Sequence, residues 1–206
     1  MKCPLLLLYV PFFVAVLSGS CLAQAPQSSE KLMEKARQEY AAGKFADAER
    51  DLRELTKRDP SNIEGHVYLG QALFRQEKYT ESVLSYQKAR ELERSGSTLT
   101  LDQHRILLDQ LAMAYGISGD LKKARILLED AIRQDPEYPL NYYNLACAFA
   151  EAGDKDKALA NLSLAFQHKE NVLKGEQMPD PRTDSSFQKY VRDEDFLKLM
   201  AKLGYK

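Results

Sequence analysis

The chain has 206 residues, enough for one domain of ordinary size, with 29% charged residues and a formal net charge of −1. Basic and acidic side chains are interleaved along it, which argues against nucleic acid as the main partner, since neutralising phosphates needs clustered Lys and Arg. Trp is absent and there is no low-complexity tract of note.

The first element in the chain is unlike the rest. "MKCPLLLLYVPFFVAVLSGSCLAQAPQSS" has one charge at Lys2, then an uncharged apolar run, then small residues, the three-part layout of a secretory signal. Its apolar stretch from Leu5 to Leu17 is broken by Pro11 and is shorter than the roughly 20 residues a membrane span needs. A signal peptide over 1–23 is expected, cleaved after Ala23, followed by a short linker over 24–28. The mature chain then has no membrane span and is periplasmic or secreted. The alternative is a lipid anchor through Cys21, because "LSGSC" loosely resembles a bacterial lipobox. Cys3 and Cys21 lie in or beside the signal, which leaves Cys147 without an intramolecular partner.

From Ser29 onward the chain repeats every 34 residues. Units begin at Ser29, Ile63, Arg105 and Pro139, spanning 29–62, 63–96, 105–138 and 139–170, with an eight-residue insert over 97–104. The eighth residues are Ala36, Gly70, Ala112 and Ala146. The twentieth are Ala48, Ser82, Ala124 and Ala158, and the twenty-seventh are Leu55, Ala89, Ala131 and Ala165. Small residues at fixed places let two helix backbones approach closely while larger neighbours interlock around them. Gly43, Gly119 and Gly153 fall where each unit must turn, and Pro60 and Pro136 fall where its second helix must stop. Each unit is thus predicted to be a helical hairpin that buries its apolar face only by stacking on its neighbours.

In the insert, Thr100 with Gln103 is a candidate capping box, predicting an early start to the third unit's first helix. Beyond the units, residues 171–206 are predicted to form a C-terminal cap. Asp193 caps a last helix ending near Gly204, with Phe196, Leu197, Met200 and Leu203 at helical spacing over the open end of the stack.

"HVYLGQALFRQEKYTESVLSYQKAREL" and "LDQLAMAYGISGDLKKARILLEDAIRQDP" carry the small and large residues of the tetratricopeptide repeat at nearly every marked position. The resemblance covers about Ser29 to Glu170, and the last unit looks like a form that closes repeat arrays in many bacterial proteins. It departs from the family at Glu77 for the turn glycine, Lys155 for the usual aromatic, and Arg94 and Glu170 for proline. The family implies an all-α, right-handed superhelical stack of hairpins, here with a C-terminal capping helix.

Nothing in the sequence has the pattern of a catalytic or metal site. His66, His104 and His168 are far apart and lack metal-ligand spacing, and no glycine-rich phosphate loop, serine elbow or paired-carboxylate motif is present. Cys147 has no nearby base or cation in sequence to activate it, so it reads as a small packing residue. No cofactor, no metal and no enzyme activity are expected. "NLS" at Asn161 is a formal glycosylation sequon, discounted because it falls inside a predicted helix.

What the resemblance implies for binding is a concave groove lined by the first helices. The inward positions carried over are Met33, Arg37 and Tyr40, then Val67, Gln71, Phe74 and Arg75. Next come Ile106, Asp109, Met113 and Ile117, and finally Leu140, Tyr143, Cys147 and Glu151. Met33, Arg37 and Ile106 stand where the chaperone-tail carboxylate clamp needs other residues, so that specialisation is excluded. The expected function is an exported adaptor that binds a peptide or protein segment in this groove. The alternative is a structural or self-associating subunit of an envelope assembly, a homo-oligomer among its forms, whose groove is occupied by its own tail or by a second copy.

Overall fold

The computed structural model describes residues 28–96 and 98–205. The signal segment, Cys3, Cys21 and the linker up to residue 27 lie outside the described residues. Four helical hairpins follow in order: α1 (Ser29–Ala41) with α2 (Phe45–Arg58), α3 (Ile63–Phe74) with α4 (Tyr79–Arg94), α5 (Leu101–Ile117) with α6 (Leu121–Gln134), and α7 (Pro139–Glu151) with α8 (Lys155–Gln167). An irregular tail holding a 3-10 segment, Ser185–Tyr190, leads to α9 (Glu194–Lys202). No strand occurs among the described residues.

The helices start where side chains satisfy their first amide groups. Ser28 accepts from the Lys31 amide and Asn62 from the Gly65 amide, and Asp120, Asp154 and Asp193 do the same for α6, α8 and α9. The capping box expected at Thr100 and Gln103 forms in both directions and starts α5 four residues before Arg105. Between the helices of each hairpin the chain turns through a left-handed residue: Gly43, Gly119 and Gly153 in three units, and Glu77, with φ of 61°, in the other. A side chain in that conformation costs about 1–2 kcal/mol, so the departure at Glu77 is a real local strain.

The small residues of the repeat do what their spacing predicts. Ala36, Ala48, Ala89, Ala146, Ala158 and Ala165 are fully buried, and Ala112, Ala124 and Ala131 nearly so. At Gly70 the fit is tightest: a Cβ there would lie 2.5 Å from the Tyr86 ring, which is itself fully buried, while Ser82 Oγ donates to the Gly70 carbonyl at 2.8 Å. Each helix packs on the next, and α1, α3, α5 and α7 also approach one another in series, so they form one layer of the stack, its inner face.

Two apolar clusters result. One, from Leu32 to Leu73, is built by α1, α2 and α3; the other begins at Tyr86 and runs through α8 into the tail. Phe196 and Met200 of α9 join this second cluster as expected, but Leu197 does not: it is 52% exposed, because α9 lies on the stack along a narrow stripe and turns Leu197 outward. Phe187, not singled out from the sequence, is fully buried. Burying one such ring contributes about 1.5–3 kcal/mol.

Candidate functional site

The inner face is best followed from its N-terminal end. Met33 is buried in the first core, so it packs the stack instead of facing a partner. Arg37 pairs with Glu64 across to α3 and lies 5.9 Å from the centre of the Tyr68 ring. Tyr40 meets Phe45 and Tyr68 edge to face, at 5.3 Å and 6.0 Å between ring centres. Phe74 meets Tyr79 in the same way at 5.3 Å. Tyr40 and Phe74, both candidates for the groove, are half-buried, and each is held edge-on by a neighbouring ring. Val67 and Gln71 are half-buried, and exposed Arg75 lays its guanidinium 4.6 Å from the centre of the Phe45 ring. A cleft of about 700 Å³ opens beside α1 and the start of α3, lined by Met33, Glu34, Arg37 and Glu64 among others.

At the C-terminal end the inner face is covered by the chain's own tail. The Tyr143 hydroxyl donates to Asp184 Oδ2 at 2.9 Å, and Cys147 Sγ lies 3.8 Å from the same oxygen. Phe187 sits edge-on to Tyr143 at 6.0 Å and tilted against Phe196 at 6.1 Å. The Tyr138 hydroxyl donates to Glu176 Oε2 at 3.0 Å. Tyr143, expected to be a partner contact, is therefore 2% exposed and spent on the tail, and Leu140 is buried as well. Lys155, the residue standing in for the family's aromatic, reaches Asp193 at 2.9 Å and Asp195 at 2.8 Å. The exchange of an aromatic for a lysine thus ties α8 to the base of α9.

Electrostatics follow from this closure. Asp109, on α5, accepts from Asn144 Nδ2, yet burial pushes its carboxyl up to about 6, with nearby Glu176 adding to the effect. Burial also pushes the Cys147 thiol well up, and Asp184 and Glu151 reinforce the shift. A thiol so placed stays protonated at neutral pH and is a poor nucleophile.

Between α5, α6 and α7 lies a cavity of about 500 Å³. Ala112, Leu121, Ala124 and Leu128 line its interior, together with Met113 and Ile117, which are 37% and 52% exposed. The tail supplies the opposite side through Asp184, Ser185 and Ser186, and α7 supplies Cys147 and Glu151. Ile117 and Met113 are thus the sequence-predicted residues with the clearest access to this cavity, while Ile106, two turns earlier on α5, is half-buried. Sequence reasoning missed the tail's share of this cavity.

The three histidines make local structural contacts. His66 Nε2 meets the Pro60 carbonyl, His104 Nδ1 meets Glu93 Oε1 at 2.6 Å, and His168 stacks on Tyr142 with ring centres 5.7 Å apart. No group of three or more His, Cys, Asp or Glu residues placed to hold a metal ion occurs among the described residues. Nor, among them, is any helix long and apolar enough to cross a membrane.

Comparison with known proteins agrees with this architecture. Three family models, each described as tetratricopeptide repeat, match residues 33–96, 107–138 and 127–160, together more than half of the chain. None of the curated proteins searched matches it. Among solved structures, the crystal structure of MamA protein superposes with a TM-score of 0.65 at 22% identity, covering 85% of this chain and 89% of that one. A structure of MamA from residue 41 to its end, from Desulfovibrio magneticus, gives 0.63 at 19% identity, covering 87% of this chain and 96% of the other. YrrB, described as a TPR protein with an unusual peptide-binding site, gives 0.57 at 15% identity over 87% of this chain and 92% of its own. Likeness at these identities shows a shared fold. Scaffolds of this type are typically non-catalytic.

Proposed function

Because this chain is a tetratricopeptide-repeat protein, we propose that it is an exported adaptor holding a peptide or protein segment along the inner face of its helix stack. The observation that carries the reading is the tail: an irregular segment of polypeptide lies against α7 and is held by side chains at the family's inward positions, Tyr143 and Cys147. The same positions in the preceding units are Val67, Gln71, Asp109 and Met113, of which Val67 and Gln71 are half-buried and Met113 is exposed. Apolar and aromatic surface with arginine at one end suits protein recognition. YrrB, with its peptide-binding site on the same fold, adds support. The signal-like first 23 residues support a periplasmic or secreted location, with attachment through Cys21 as the alternative.

A second reading has its own observation. The tail already fills part of the groove, which favours a structural or self-associating subunit that takes no separate peptide.

The test is crosslinked co-purification from the cell envelope, comparing the wild type with a folded Gln71→Glu/Arg75→Glu variant. The adaptor reading expects a partner that the wild type captures and the variant loses. Identical partners in both would overturn the use of this face. Recovery of the chain's own copies alone would favour the second reading.

A further inference from the structure

The cavity between α5, α6 and α7 has a chemistry of its own. Its interior is apolar, built by Ala112, Leu121, Ala124 and Leu128, and Met113 and Ile117 remain partly exposed at it. Its charged lining consists of two carboxylates, Asp184 and Glu151, and contains no Lys, Arg or His. Asp184 is engaged by the Tyr143 hydroxyl, the Cys147 thiol and the Ser186 amide, all neutral donors, and Glu151 is exposed. Neither carboxylate forms an ion pair among the described residues.

We propose that this cavity is a specificity pocket for an apolar side chain of Leu or Met size followed by a Lys or Arg, presented by an extended peptide. The proposal rests on the peptide-adaptor reading and adds to it which side chains are selected. The apolar residue fills the space between Met113, Ile117 and Leu128, and the adjacent cation meets Asp184 and Glu151. An acidic residue at that position would meet two like charges, so the rim discriminates as well as attracts. The tail is a fixed wall of the pocket and not a plug that the peptide displaces. Phe187, Phe196 and Met200 are buried in the same cluster as the repeats, and Lys155 ties the base of α9 to α8.

The experiment uses the full chain and three fluorescein-labelled nonapeptides in a Gly/Ser frame, carrying a central Leu-Lys, Leu-Glu or Ser-Lys pair. Fluorescence anisotropy is expected to show Leu-Lys binding at least tenfold more tightly than either control. Glu151→Lys abolishes the preference for Leu-Lys over Leu-Glu, and Ile117→Ser weakens both Leu peptides while leaving Ser-Lys unchanged. Both replaced side chains are exposed, and circular dichroism checks that the helices persist. Equal affinity for Leu-Lys and Leu-Glu, or indifference to both substitutions, overturns the pocket. Binding that is lost in the Gln71→Glu/Arg75→Glu variant but not in Glu151→Lys leaves the adaptor reading standing and removes this site alone. Absence of binding by all three peptides, joined to absence of a captured partner, removes both. Faster hydrogen exchange over residues 184–190 when Leu-Lys binds would mean that the tail is displaced, and would overturn its role as a wall.

Discussion

The two halves of the stack hold together by different means. In α1 to α3 the apolar cluster is small, and charges lie close to it: Glu49 and Asp51 are 8% and 6% exposed. Glu49 accepts from Lys78, Arg53 and Gln76, and Asp51 is held by Lys35 and Arg50. In α5 to α9 the corresponding space is filled by Tyr138, Tyr143, Phe149, Phe187 and Phe196, and the tail closes the end. One repeat pattern therefore accommodates two kinds of interior. A stack of this type has stability that is roughly a sum of units and interfaces, so each half can be weakened separately.

The strongest way to break the contrast is Phe187→Ala. The ring is fully buried between Tyr143 and Phe196, and its loss is expected to cost about 3–5 kcal/mol. Hydrogen exchange should then show α7 to α9 losing protection while α1 and α2 keep theirs. Next is Gly70→Ala, where the added methyl must push the buried Tyr86 ring aside. Denaturant titration should register about 1–3 kcal/mol of destabilisation, although alanine is the better helix former.

Acid sharpens the contrast, because the halves respond with opposite signs. Burial opposes ionisation of Glu49, but hydrogen bonds from Lys78, Arg53 and Gln76 outweigh it and hold the carboxyl below its ordinary value. Asp51 behaves likewise through Lys35 and Arg50. Their stabilisation is present above the unfolded carboxylate range and is lost as pH falls through their lowered folded values. Asp109 runs the other way: with a folded value of about 6 against 3.8, it keeps its proton where the unfolded chain has lost it. Its contribution therefore falls as pH rises from about 4 to about 6. Acidification is expected to strip exchange protection from α1 to α3 before α5 and α7. Asp109→Asn keeps an acceptor for Asn144 and should add about 1 kcal/mol at neutral pH, a gain that vanishes in acid.

The smallest effect is expected at the turn of the second hairpin. Glu77→Gly relieves a left-handed glutamate and should raise stability by about 0.5–1 kcal/mol, read as a shift in denaturation midpoint.

How much of this was legible follows from which interactions have a period. Ala36, Gly70, Ala112 and Ala146 recur every 34 residues, or 42 across the insert, and each lands in the interior. The capping box at Thr100 was readable because its two members are three residues apart. The tail's attachments were not. Tyr143 with Asp184, Tyr138 with Glu176 and Lys155 with Asp193 are single side-chain pairs between distant segments, with no repeat to reveal them. A trace existed in two departures: Lys155 where the family has an aromatic, and Phe187 alone in a polar stretch. Tyr143 was misjudged for a related reason, since an inward position specifies direction and leaves open what the chain itself has placed there.

The burial of Phe196 and Met200 also sets an order of events in time. The larger core cannot be completed until α9 has been made, whereas α1 to α3 can close their cluster far earlier. During synthesis the nascent chain therefore carries an unfinished apolar seam along α7 and α8 until α9 has been made, and a ribosome stalled short of Phe187 would display that seam to any chaperone or protease within reach.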